Sequence, residues 1–77
     1  MIRFDVPAGG GRVSLRIYDA GGRLVRTLVD ANVRTPGERQ VMWDGRNTRG
    51  RRVASGIYFY RLQGPGFSKT RKMVLVK

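Results

Sequence analysis

The sequence predicts an all-β fold of two packed antiparallel sheets, with six to seven strands. Three observations carry that reading. Eleven glycines divide the 77 residues into short segments rich in Val, Ile, Leu and Tyr. No segment sustains the ~3.6-residue apolar period of a helix over about ten residues. Turn signals recur about every 8–12 residues, the spacing of a sandwich or barrel. The length fits a single domain over residues 1–77. A chain this short buries only roughly 60–65% of its unfolded surface, so its core is small.

Each strand is then read from its alternation. Ile2–Val6 places Ile2, Phe4 and Val6 on one face, and "PAGGGR" ends it. Arg12–Asp19 is the cleanest strand: Val13, Leu15 and Ile17 face one way, and Ser14, Arg16 and Tyr18 the other. "AGGR" is a tight hairpin turn, because Gly supplies the positive φ that such turns need. Leu24–Val29 alternates imperfectly, and a bulge near Arg26–Thr27 lets Val25 and Leu28 both point inward. "DANVRTPGE" reads as a longer connection. Arg39–Asp44 puts Val41 and Trp43 on one face. Arg52–Ala54 is a candidate short seventh strand. Gly56–Gln63 is the strongest strand former, with Tyr58, Tyr60 and Leu62 on one face and Ile57 and Phe59 on the other. Apolar residues on both faces make it a central strand or one covered by a neighbour. "GPG" turns the chain into Phe67–Lys77, with Met73 and Leu75 on one face and Val74 and Val76 on the other.

Composition removes whole classes of chemistry. There is no cysteine, which excludes disulfides and thiolate metal sites. There is no histidine, which excludes the commonest general base and metal ligand. No carboxylate pair converges in sequence, so an enzyme is the least expected class, and no catalytic, cofactor or metal residue is assigned. No apolar run approaches the ~18 residues of a membrane span. "MIRFDVPAGG" has no apolar core of a signal peptide, so an exported domain would carry its signal on a longer parent chain. The formal net charge is +11, which draws polyanions: nucleic acid, anionic polysaccharide, anionic lipid or lipopolysaccharide, or acidic protein.

The stretch "WDGRNTRGRRVASG" concentrates the basic charge. A phosphate loop needs a following helix and a terminal Gly-Lys-Ser/Thr, and neither is here. A calcium loop needs several carboxylates, and this one holds only Asp44 among four arginines. A built turn fits better: Asp44 and Asn47 bonding nearby amides, with Gly45 and Gly50 at positive φ. Arg46, Arg49, Arg51 and Arg52 remain candidate polyanion contacts. Trp43 and the tyrosines 58 and 60 are read as core, and Tyr18, beside Arg16, as the exposed aromatic.

The chain resembles the Ig-like domain of flagellar hook-capping proteins. It is also similar to the type A C-terminal sorting domain of the type IX (Por) secretion system. The residues that carry the resemblance are Tyr18-Asp19 with Gly22-Arg23, then Trp43-Asp44-Gly45. Gly50 with Ser55-Gly56-Ile57-Tyr58 follows, and Arg71-Lys72-Met73-Val74-Leu75 closes the series. The resemblance implies a non-enzymatic, Ig-like antiparallel β-sandwich at the C-terminus of a longer exported bacterial protein. Its place would be extracellular or at the outer-membrane surface. In the sorting branch it implies recognition by secretion machinery, and in the hook-capping branch a structural part of an extracellular assembly with neighbouring subunits as partners. The closing strand is the expected recognition element: Arg71, Lys72, Met73, Val74, Leu75, Val76 and Lys77. An edge strand there also offers self-association.

Overall fold

A computed structural model describes residues 1–76 and contains six strands. They are β1 (Ile2–Val6), β2 (Gly11–Asp19), β3 (Leu24–Val33), β4 (Gly37–Val41), β5 (Gly56–Gly64) and β6 (Phe67–Leu75). All pairing is antiparallel, in two sheets: β1–β4, and β3–β2–β5–β6. The fold is an Ig-like all-β sandwich, with sheets of two and four strands. Among the described residues, no helix is long and apolar enough to cross a membrane.

Alternation in β1 and β2 builds the core between the sheets. Ile2, Phe4 and Val6 of β1 are buried against Val13, Leu15 and Ile17 of β2, which are fully shielded from solvent. Tyr58 and Leu62 of β5 complete the cluster. Each such aliphatic side chain contributes about 1.5–3 kcal/mol on burial. Strand β5 is central, with Leu62 paired to Leu15 on one side and to Lys69 on the other. Its outer face stays wet: Ile57 is exposed and Phe59 half-buried.

The boundaries differ most from the sequence reading in three places. Strand β3 continues to Val33, so the connection to β4 is only residues 34–36. The extension follows its partner: Arg12, Val13 and Ser14 of β2 pair with Asn32, Ala31 and Asp30, and Arg12 Nε donates to Asp30 Oδ1 at 2.9 Å. Strand β4 ends at Val41, not Asp44, because Trp43 and Asp44 turn their polar groups into the next loop. Arg52–Ala54 is not a strand; Arg52 makes an isolated bridge to Arg46.

Strand β3 carries two register shifts against β2. Leu15 pairs with Val29 but Arg16 with Thr27, and Ile17 pairs with Arg26 but Tyr18 with Leu24. The residues stepped over are Leu28 and Val25. Both are half-buried against the core, so the irregularity on either side of Arg26–Thr27 keeps two apolar side chains inward.

Candidate functional site

The loop between β4 and β5 is a closed miniature hairpin. The Asp44 carboxylate accepts the Arg46 amide at 3.0 Å. The Asn47 side-chain oxygen accepts the amides of Arg49 at 3.0 Å and Arg51 at 3.1 Å. The Gly50 amide donates to the Asn47 carbonyl at 2.9 Å, and the Asn47 amide to the Arg51 carbonyl at 2.8 Å. Gly45 and Gly50 sit at φ 74° and 79°, where any side chain would be strained.

Three contacts fasten this hairpin to the sandwich. The Trp43 indole donates to the Arg46 carbonyl at 3.0 Å, and its ring meets Tyr58 edge-on at 5.4 Å. The amide and hydroxyl of Thr48 both donate to the Val25 carbonyl. Arg26 Nη1 donates to Asp44 Oδ1 at 2.6 Å. Tyr58 is anchored in turn, its hydroxyl donating to the Ala54 carbonyl at 2.6 Å. Desolvation pushes the Asp44 carboxyl up. The Arg26 hydrogen bond, the Arg46 amide and the charges of both arginines outweigh it, leaving the pKa below the ordinary carboxylate value.

Within the loop the four arginines divide. Arg46 is half-buried and donates to the Gly50 carbonyl at 2.8 Å, so its guanidinium closes the hairpin. Arg49, Arg51 and Arg52 are exposed. Among the described residues the ion pairs are Arg12–Asp30 and Arg26–Asp44, so these three arginines face solvent without a carboxylate partner.

The predicted recognition strand divides too. Strand β6 is an edge, bonded to β5 alone. Met73 and Leu75 pack half-buried against the core. Arg71 and Lys72 are exposed, Val74 is 64% exposed and Val76 82%. Lys77 lies outside the described residues. The end of this strand meets the loop: Leu75 and Val76 line a shallow cavity of about 370 Å³ with Trp43, Asp44, Gly45 and Arg52. Tyr18 is less free than the sequence suggests. It is half-buried, and the Arg61 guanidinium lies 5.2 Å from its ring centroid.

Sequence reasoning missed a cleft on the open side of the sandwich. Strands β1 and β6 are each bonded on one side only, to β4 and to β5. Between them lies a cavity of about 300 Å³ lined by Arg3, Phe4, Asp5, Tyr60, Leu62, Lys69 and Arg71. A neighbouring cavity of about 160 Å³ shares Asp5 and Lys69 and adds Pro7 and Phe67. The signal was present in β6: Lys69 and Arg71 occupy the same parity as Phe67, Met73 and Leu75, where a core-facing strand should be apolar.

Among the described residues, no group of three or more His, Cys, Asp or Glu side chains is placed to hold a metal ion. No curated protein and no solved structure matches the chain. One protein family does, described as the FlgD Ig-like domain, over residues 1–65. That span runs from β1 through β5 and includes the Trp43–Gly56 hairpin, leaving β6 beyond it. The match covers well over half of the chain: the chain belongs to the FlgD Ig-like domain family, a structural family associated with the flagellar hook.

Proposed function

We propose that this chain is a non-enzymatic docking module of an exported bacterial protein, working in an extracellular assembly of the hook-cap kind. Family membership supports the assembly setting. The observation that carries docking is β6: a nine-residue edge strand with one face of exposed Lys72, Val74 and Ser68 and one unpaired backbone side. Unpaired strand edges join other chains through main-chain hydrogen bonds, and side chains then select the partner. Cross-linking in cells is the test. A photoreactive residue at Val74 should trap a neighbouring extracellular protein, and one at the buried Val13 should not. Equal trapping at both positions would remove the proposal.

A second reading is favoured by the exposure of Val74 and Val76: recognition by an export machine that sorts the parent protein to the cell surface. Fusion behind a signal peptide and reporter, in a bacterium with the type IX system, tests it. Surface display that depends on Met73–Lys77 supports sorting. A periplasmic reporter, indifferent to removal of those residues, sinks it.

A further inference from the structure

We propose that the cleft between β1 and β6 receives an extended, acidic segment of a partner protein, which adds to β1 as the third strand of the smaller sheet. This goes beyond the docking reading above, which rests on the free edge and outer face of β6, by placing a partner segment on the edge of β1 and naming its chemistry.

The two sheets are mismatched in width. Two strands lie over four, so the smaller sheet cannot cover the inner face of the larger one. What stays open is the β5–β6 side. Val13, Leu15 and Ile17 beneath β1 are fully shielded, whereas Tyr60 is half-buried and Lys69 and Arg71 are exposed. A strand bonded to the free edge of β1 would lie directly above those residues. The cleft is lined from Arg3 to Pro7 on one side and from Phe67 to Arg71 on the other. Five residues of strand span about 17 Å, the length of an ordinary short strand.

Charge then selects the occupant. Lys69 and Arg71 project from core-facing positions of an edge strand, and Arg3 joins them at the rim. Inward-pointing charges on an edge disfavour an apolar strand, because covering them would desolvate unpaired cations. A second copy of this chain is disfavoured as well, since its net charge is +11. A strand with carboxylates on its inward face meets Lys69 and Arg71 with them, and the methylene stems of those side chains lie over Phe4, Tyr60 and Leu62, its alternate apolar residues facing outward. Asp5, which has no ion-pair partner among the described residues, disfavours a carboxylate beside it and so fixes the register.

The test uses the 77-residue chain, ¹⁵N-labelled, titrated at low salt with a capped peptide of about eight residues alternating glutamate and valine. Amide shifts should cluster at Arg3–Asp5, Tyr60 and Lys69–Arg71, and the β1 amides should exchange more slowly with solvent. Lys69→Glu with Arg71→Glu should weaken binding about tenfold or more, the scale of one lost charge-assisted hydrogen bond. The milder pair Lys69→Gln and Arg71→Gln guards against misfolding and should weaken it in the same direction. Arg49→Glu should leave affinity unchanged. Shifts centred on Arg49–Arg52 would overturn the proposal. So would equal binding of a proline-interrupted peptide of the same charge, or tighter binding of a DNA oligonucleotide at the same residues, which would make the cleft a polyanion site. Absence of peptide binding while Val74 still cross-links a partner removes the cleft alone. Peptide binding without cellular cross-linking removes the docking function alone.

Discussion

Strands β2 and β6 are the same length and belong to the same sheet, yet their inward faces differ. On β2 the inward residues are Val13, Leu15 and Ile17, all fully shielded. On β6 the inward series runs Phe67, Lys69, Arg71, Met73, Leu75, with two cations in its middle. The contrast follows from position: β2 has a neighbour on each side and the small sheet above it, and β6 has neither advantage. In a domain this small, stability must concentrate in the few residues covered on every side, and an edge is free to carry recognition. The largest expected effect lies on the β2 side. Leu15→Ala should cost about 2–5 kcal/mol in denaturant unfolding, a large share of the roughly 4–11 kcal/mol expected for a chain of this length. Lys69→Ala should lie within about 0.5 kcal/mol of the parent, because the residue is exposed and unpaired. Comparable losses at the two sites would break the contrast.

The Trp43–Tyr58 pair supplies an intermediate case, since it ties the loop to the core. Tyr58→Phe removes the hydroxyl that donates to the Ala54 carbonyl and should cost about 1 kcal/mol. A double-mutant cycle with Trp43→Leu should show coupling of about 0.5–1.5 kcal/mol, the usual range for an edge-to-face aromatic pair. Unfolding monitored by Trp43 fluorescence measures both, and zero coupling would mean that the ring contact adds nothing beyond burial.

Smaller in free energy, though visible in behaviour, is the conversion of β6 into a conventional inward strand. Lys69→Val with Arg71→Val should change monomer stability by less than about 1 kcal/mol and should cause association that rises with concentration. Sedimentation velocity reads this directly. A variant that stays monomeric across the concentration series would show that the two cations do not guard the edge.

How much of this was legible in the sequence depended on whether a feature is local. Alternation at Ile2–Val6, Val13–Ile17 and Tyr58–Leu62 is a property of a few consecutive residues, and the core lies where it points. The loop was legible for the same reason: Asp44 and Asn47 bond amides two to four residues away. The far half of β3 was hidden, because Asp30, Ala31 and Asn32 are poor strand formers held there by pairing with β2. Trp43 and Asp44 alternate like strand residues yet leave the ladder, drawn away by the Arg46 carbonyl and by Arg26. The cleft left one local trace, the inward parity of Lys69 and Arg71. It depends on two strands lying over four, and Lys69 and Arg71 taken singly look like ordinary solvated cations.

The smallest effect expected is a pH dependence that separates loop from edge. The Asp44 carboxyl has its pKa held below the unfolded value by Arg26 and the Arg46 amide, against the opposing pull of desolvation. The folded chain therefore holds this proton less tightly than the unfolded one. Its contribution is present above the ordinary carboxylate pKa of about 3.9 and is lost as pH falls through the lower folded value. Asp30 behaves in the same direction, through its hydrogen bond with Arg12. Asp44→Asn keeps an oxygen for the Arg46 amide and removes only the charge. Its melting temperature should fall slightly at neutral pH and converge on the parent as pH falls through the lowered folded pKa. The Lys69 and Arg71 variants should keep a constant offset from the parent across that same acid range, because they leave the Arg26–Asp44 and Arg12–Asp30 pairs intact. If Asp44→Asn instead ran parallel to the parent through the acid limb, the Arg26–Asp44 pair would be an exposed contact without energetic weight. The hairpin would then be held by Trp43, Thr48 and the Asn47 turn alone.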